Sequence, residues 1–158
     1  MPKRQIFYSF HFDNDVMRVQ QIRNIGALED NKPISANDWE EVKKKGNPSI
    51  EKWIDENMKY KSCVVVLIGS ETHLRPWVRY EIAKGWDDGK GVVGIYIHNL
   101  KDPRSVNTPP YYGKCAQGQN PFAQIKLKNG STLAQYVPCF NPNATDAYND
   151  IAQNLTTW

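Results

Sequence analysis

Three cysteines in 158 residues, Cys63, Cys115 and Cys139, are too few and too far apart to staple a small fold. None stands in a CxxC pair or beside histidine at zinc-ligand spacing, so neither a disulfide framework nor a structural zinc organises the chain. Long apolar runs are missing too. No stretch reaches the ~18–20 residues that span a bilayer, and Met1-Pro2-Lys3-Arg4 opens without the apolar segment of a signal peptide. The expectation is a soluble, cytoplasmic protein in which Cys63 is a buried thiol. One-signed charge is scarce: the net charge is +3, the basic residues are scattered, and the longest run, Lys43-Lys44-Lys45, reads as a solvated helix end. Neither a nucleic-acid surface nor a membrane surface is expected. Familiar site motifs are lacking as well. No GxGxxG follows the first apolar run, and there is no GxxxxGK[ST] and no GxSxG. His11, His73 and His98 do not show metal-ligand spacing. No metal and no cofactor is expected.

What is present is a regular alternation. Three apolar runs, Gln5–Phe10, Cys63–Ile68 and Val92–Ile97, have the length and the β-branched or aromatic content of strands. The second is apolar without alternation, as a strand covered on both faces requires, so the sheet is expected to be parallel. Between the runs lie amphipathic segments. Asp13 or Asn14 can cap a helix carrying Val16, Val19, Ile22 and Ile25. Asn47-Pro48 has the form of an N-cap followed by proline, with Ile50, Trp53, Ile54 and Met58 on one stripe. Pro76 opens a helix to about Asp87, stopped by Gly89, and a last helix carries Tyr148, Ile151, Ala152 and Leu155. The pattern predicts a doubly wound α/β sheet.

Leu28–Lys45 is expected to hold a short strand and a long loop. Asp102–Gln119 has no periodicity and reads as an irregular excursion. Phe122–Leu127 and Thr132–Val137, joined through Lys128-Asn129-Gly130-Ser131, resemble a β-hairpin. We take residues 1–158 as one domain, with a core over about 4–100 and a C-terminal extension over about 101–158.

Ligands of open α/β sheets bind beyond the carboxyl ends of the strands. Those ends are Ser9-Phe10-His11, Gly69-Ser70-Glu71 and His98-Asn99. Nearby, Arg75-Pro76-Trp77-Val78-Arg79-Tyr80-Glu81-Ile82 sets a carboxylate in mid-helix, with Trp77 and Glu81 one turn apart on a shared face. On periodicity alone, Glu81 is more ordinarily a boundary residue paired with Arg79, Lys84 or Arg75.

The same segment resembles the SxWCxxEL motif of TIR domains, with Arg75 at the usual serine and Val78 at the usual cysteine. Ile6-Phe7-Tyr8-Ser9-Phe10 is similar to the (V/I)FxSF opening of these domains, and Val64–Ser70 to their central strand. Taken with His11, Glu71-Thr72 and Asn120-Pro121-Phe122, the blocks look like the TIR-like proteins of the bacterial Thoeris anti-phage system. The resemblance implies a flavodoxin-like sheet of TIR type. It also implies conversion of NAD⁺ to nicotinamide and a cyclic ADP-ribose isomer, a diffusible product that acts on a separate effector. Self-association is implied as well, with Glu81 catalytic.

That chemistry suits a single carboxylate. Nicotinamide leaves neutral, so no general acid is needed, and the ribosyl oxocarbenium ion left behind can be stabilised by one carboxylate in a site that excludes water. Phe10, Trp39 and Trp77 can stack on the substrate's rings, although each alone is more ordinarily a core residue. Ser9, the backbone near His11, and Asn120 complete the expected contacts. Three alternatives stay open: a non-enzymatic TIR scaffold, a receiver-like domain (which lacks its aspartate at Gly69-Ser70), and a deoxyribosyltransferase-like enzyme.

Overall fold

A computed structural model describes residues 5–25 and 44–155. Trp39 and the strand and loop expected from Leu28 onward lie outside the described residues, as do the side chains of Phe12 and Asp13.

Four strands form one parallel sheet in the order β1 (Ile6–Ser9), β2 (Cys63–Ile68), β3 (Gly91–Tyr96), β4 (Cys139–Phe140). Helices α1 (Phe12–Ile25), α2 (Asn47–Met58), α3 (Pro76–Asp87) and α4 (Ala147–Asn154) connect or follow them. The two-residue period of a strand explains the layers. Val65 and Leu67 of β2 face one way, with Ile6, Tyr8 and Ile95, under Val19 and Ile22 of α1 and Ala147, Ile151 and Leu155 around α4. Val64, Val66 and Ile68 face the other way, with Phe7, under Ile50, Ile54 and Met58 of α2 and Val78 and Ile82 of α3. Two cores, one on each face, are why β2 had to be apolar throughout. Gly85 lets α3 lie close: a Cβ there would stand 2.6 Å from Cγ2 of Val64. No described helix is long and apolar enough to cross a membrane.

Several expectations need correction. The first turn of α1 closes on His11, whose carbonyl accepts from Asp15 N at 2.9 Å, so the helix begins ahead of its expected caps. Asn14 instead donates to Glu71 Oε2 at 3.0 Å. In α2 the first helical bond reaches Gly46 O, which makes Gly46 the N-cap and puts Asn47 inside the helix. Helix α4 buries Ala147 and Ile151, with Leu155 just beyond its end, and leaves Tyr148 43% exposed, one position off the expected stripe. Cys63 is half-buried.

The hairpin is the largest miss. Its turn forms: Gly130 takes φ +85°, Leu127 N donates to Ser131 O at 2.8 Å, and Lys126 and Thr132 make one antiparallel bridge. The flanks, however, coil into 3-10 turns at Pro121–Gln124 and Leu133–Gln135. Phe122 and Leu133 are drawn fully into the α2–α3 core, and that burial outweighs strand pairing. β4 had no counterpart among the predicted strands. It is two residues long and held in register by β3, with Gly94 opposite Cys139.

Candidate active site

Helix α3 is aimed by the turn before it. Thr72 Oγ1 accepts from Gly69 N at 2.8 Å, the 3-10 turn Thr72–Leu74 follows, and Arg75, extended, hands over to Pro76 in the first helical turn. The buried stripe of α3 then reads Val78, Glu81, Ile82, Gly85. One member of that stripe is a carboxylic acid. Glu81 is 8% exposed, and Ser9, fully buried at the end of β1, stands beside it. Ser9 shares the face of Phe7 by strand alternation, the face that α3 covers.

The electrostatics of Glu81 are unusual. Burial pushes its pKa up to about 8, and only the Ser9 hydroxyl pulls it back. Glu81 Oε2 and Ser9 Oγ are both buried with no hydrogen-bond partner among the described residues. The cations that could have made Glu81 a boundary ion pair are engaged elsewhere or unengaged. Arg79 donates to Gln124 Oε1 at 2.7 Å, Lys84 pairs with Asp88 at 3.1 Å, and the buried Nε of Arg75 has no partner among the described residues. Buried polar atoms are nearly always paired, and leaving one unpaired costs about 1–3 kcal/mol. Two such oxygens side by side mark a place built for something other than stability.

The other expected contacts divide. Trp77, one turn before Glu81, is half-buried against the same core and meets Tyr80 edge-on at 5.5 Å, while Tyr80 OH donates to Asp55 Oδ1 at 2.8 Å. His11 is buried in the β1–α1 connection. Phe10 packs against the core on the α1 face, with the Arg23 guanidinium 5.6 Å from its ring centre, and so belongs to the side away from α3. Asn120 Oδ1 accepts from Phe122 N at 2.9 Å and caps the turn that buries Phe122. The structure thus brings Ser9 and Glu81 together with Trp77 a turn away, and does not bring Phe10 to them.

A buried ion pair beneath the strand ends escaped the sequence. Asp15 is fully buried and pairs with Arg18 at 2.9 Å, and Arg18 also donates to Leu100 O at 2.9 Å and Gly113 O at 2.7 Å. The i, i+3 spacing on a helix was the available signal. Burial raises the pKa of Asp15 and Arg18 opposes the rise. The Asp15 carboxylate occupies the space where Gly69 would carry a Cβ. Gly69→Ala is therefore expected to displace Asp15 and lower the unfolding free energy by about 1–3 kcal/mol, the usual cost of overpacking, read from denaturant titration.

Among known proteins, residues 7–102 match the family model described as Thoeris protein ThsB, TIR-like domain. The chain is also similar to ThsB1 of Bacillus cereus (strain MSX-D12), provisionally named a cyclic ADP-D-ribose synthase: the two are 34% identical over an alignment of 134 residues that covers 81% of this chain. The match spans 66% of that relative's length.

Proposed function

The chain belongs to the TIR-like family of Thoeris ThsB proteins, and from that membership we propose that it cleaves the nicotinamide–ribose bond of NAD⁺ and closes the ADP-ribosyl product into a ring. The observation that carries the proposal is the buried carboxyl of Glu81, whose Oε2 has no hydrogen-bond partner among the described residues, beside the buried hydroxyl of Ser9. A purely adhesive scaffold gains nothing from such a group and would bear its desolvation cost.

NAD⁺ brings a fixed positive charge on its nicotinamide ring, next to the anomeric carbon. Glu81, with no cationic partner among the described residues, is free to take that charge as its own counter-ion. Binding then draws the carboxyl toward its ionised form. As the C–N bond lengthens, positive charge moves from the pyridinium ring onto the ribose, and the carboxylate stabilises it where water is excluded. Nicotinamide departs neutral and takes no proton. Ser9 donates to a ribose hydroxyl or to the carboxylate, fixing their relative position, and Trp77 supplies an aromatic wall. A nucleophilic atom of the adenosine half, folded back within the pocket, then takes the anomeric carbon before water does, and its displaced proton leaves to solvent. His11 and Asn120 are assigned to the outer parts of the substrate, as are Phe10 and Trp39.

The product, a cyclic ADP-ribose isomer, serves as a diffusible messenger to a separate anti-phage effector, and the protein works in the cytoplasm as a self-associating assembly with NAD⁺ as substrate and no cofactor. Chromatography with mass spectrometry of the products from NAD⁺ tests the assignment. Nicotinamide together with a species lighter than ADP-ribose by one water is expected. Linear ADP-ribose alone would overturn the cyclase part, and a covalent glycosyl adduct on Glu81 formed from a nucleoside would favour a deoxyribosyltransferase-like enzyme instead.

A further inference from the structure

On the α1 side of the strand ends lies a cavity of about 360 Å³ whose lining includes Arg18, Ser70, Asp102, Arg104, Ser105 and Lys114, and does not include Glu81, Ser9 or Trp77. Its size suits a small ligand, since such sites begin at about 300 Å³. The lining side chains carry hydroxyl, amide, thiol and charged groups. Asp102 is claimed by Arg104, with Nη2 to Oδ2 at 2.7 Å and Nε to both oxygens at 3.1 Å, and this hydrogen bonding holds the Asp102 pKa low. Arg18 is matched by Asp15 from below. Lys114 has no carboxylate: its ammonium donates to Ala144 O at 2.7 Å and has no acidic partner among the described residues. Among the described residues, three cations, Arg18, Arg104 and Lys114, therefore meet two carboxylates, Asp15 and Asp102.

Two of these cations also act on a buried histidine nearby. His98 lies buried at the end of β3, its Nδ1 without a partner among the described residues. Its pKa is held down first by burial and then by Arg18 and Lys114. The hydroxyls of Ser70 and Ser105 add donors to a wall that already carries a surplus of positive charge. The floor of this cavity also adjoins the catalytic side. Asn14, at its edge, is bonded to Glu71, and Asp15 packs on Gly69, so the β1 and β2 loops that hold Ser9 and lead into α3 are shared by both sites.

We propose that this cavity, whose lining does not include Glu81, binds a phosphate-bearing anion of the pyrophosphate class. Such a group occurs in the middle of NAD⁺ and also in free phosphorylated metabolites; the chemistry is shared and the source is decided by experiment. Calorimetric titration of the full chain with inorganic pyrophosphate is the test, alongside Lys114→Gln, which removes the unmatched charge, and Ser105→Glu, which puts a carboxylate into the cavity while keeping all four residues of the two ion pairs. Saturable binding is expected, weakened at least tenfold in each variant, with the thermal midpoints in the absence of the anion staying within a few degrees of the parent. No binding by the parent at millimolar pyrophosphate, or binding that both variants retain, would overturn the site. The source is read in Glu81→Gln protein, where no turnover is needed. Displacement of pyrophosphate by NAD⁺ assigns the cavity to the substrate's own diphosphate. Simultaneous binding assigns it to a separate phosphorylated ligand. Because neither readout uses catalysis, failure of the NAD⁺-cleaving proposal leaves this test standing.

Discussion

Glu81→Gln is expected to lower NAD⁺ cleavage on the order of a thousandfold, the scale seen when an electrostatic group aimed at a transition-state charge is removed. The amide keeps the shape and the hydrogen-bonding span of the carboxyl but can never carry the negative charge that the ribosyl cation requires. Its effect on stability runs the other way and depends on pH. The folded pKa of Glu81 is about 8, above its ordinary 4.5, because burial penalises the charged form. A group raised in this way binds its proton more tightly folded than unfolded. Its contribution to stability is full below pH 4.5 and is lost as pH rises through about 8. Each tenfold difference in proton affinity between the folded and unfolded chain is worth about 1.4 kcal/mol, so the loss is on the order of a few kcal/mol. Parent and Glu81→Gln should therefore unfold at similar denaturant concentrations near pH 5, with the variant the more stable of the two near pH 9. A variant that is less stable at every pH would mean that the carboxyl makes bonds that the folded chain depends on.

The second large effect is on the pH dependence of catalysis. On the proposed mechanism the reactive form of Glu81 is the carboxylate, and without substrate that form is the minority below about pH 8. kcat/KM for NAD⁺ should then climb about tenfold per pH unit through the neutral range and level off above pH 8. The profile of kcat should bend at lower pH, because bound pyridinium favours the ionised carboxylate and the substrate-bound enzyme loses its proton earlier. A kcat/KM that is flat from pH 6 to pH 9 would show that Glu81 is already ionised without substrate. The same experiment on Ser9→Ala separates the two oxygens. Loss of the hydroxyl, which holds the pKa down, should push the inflection upward.

The layered sheet was legible because its causes are local. The unbroken apolar run from Val64 to Ile68 states that both faces are covered, and the Pro76 start and Gly89 stop bracket α3 without help from tertiary contacts. The resemblance drew attention to Glu81, but what makes Glu81 unusual is tertiary: periodicity alone favours an ion pair with Arg79 or Lys84, and only the folded chain sends Arg79 to Gln124 and Lys84 to Asp88. The side taken by Phe10 is likewise set by the folded chain. An aromatic at a strand end is equally suited to either face, and the alternation from Phe7 through Ser9 turns Phe10 toward α1. The hairpin failed because Asn129-Gly130 specifies a turn and says nothing of its flanks, whose Phe122 and Leu133 were claimed by the core. The Asp15–Arg18 pair was hidden by its ordinariness. Acid and base three apart on a helix usually lie in solvent, and here the loop from Leu100 to Gly113 folds over them.

The central claim is that Glu81 alone supplies the carboxylate for breaking the nicotinamide–ribose bond. Proton NMR of NAD⁺ incubated at pH 8.5 with the parent protein and with Glu81→Gln, each first shown to unfold cooperatively, follows nicotinamide release directly. Steady release by the parent and release at the uncatalysed background by the variant is the predicted result. Release by the folded variant within tenfold of the parent would contradict the claim.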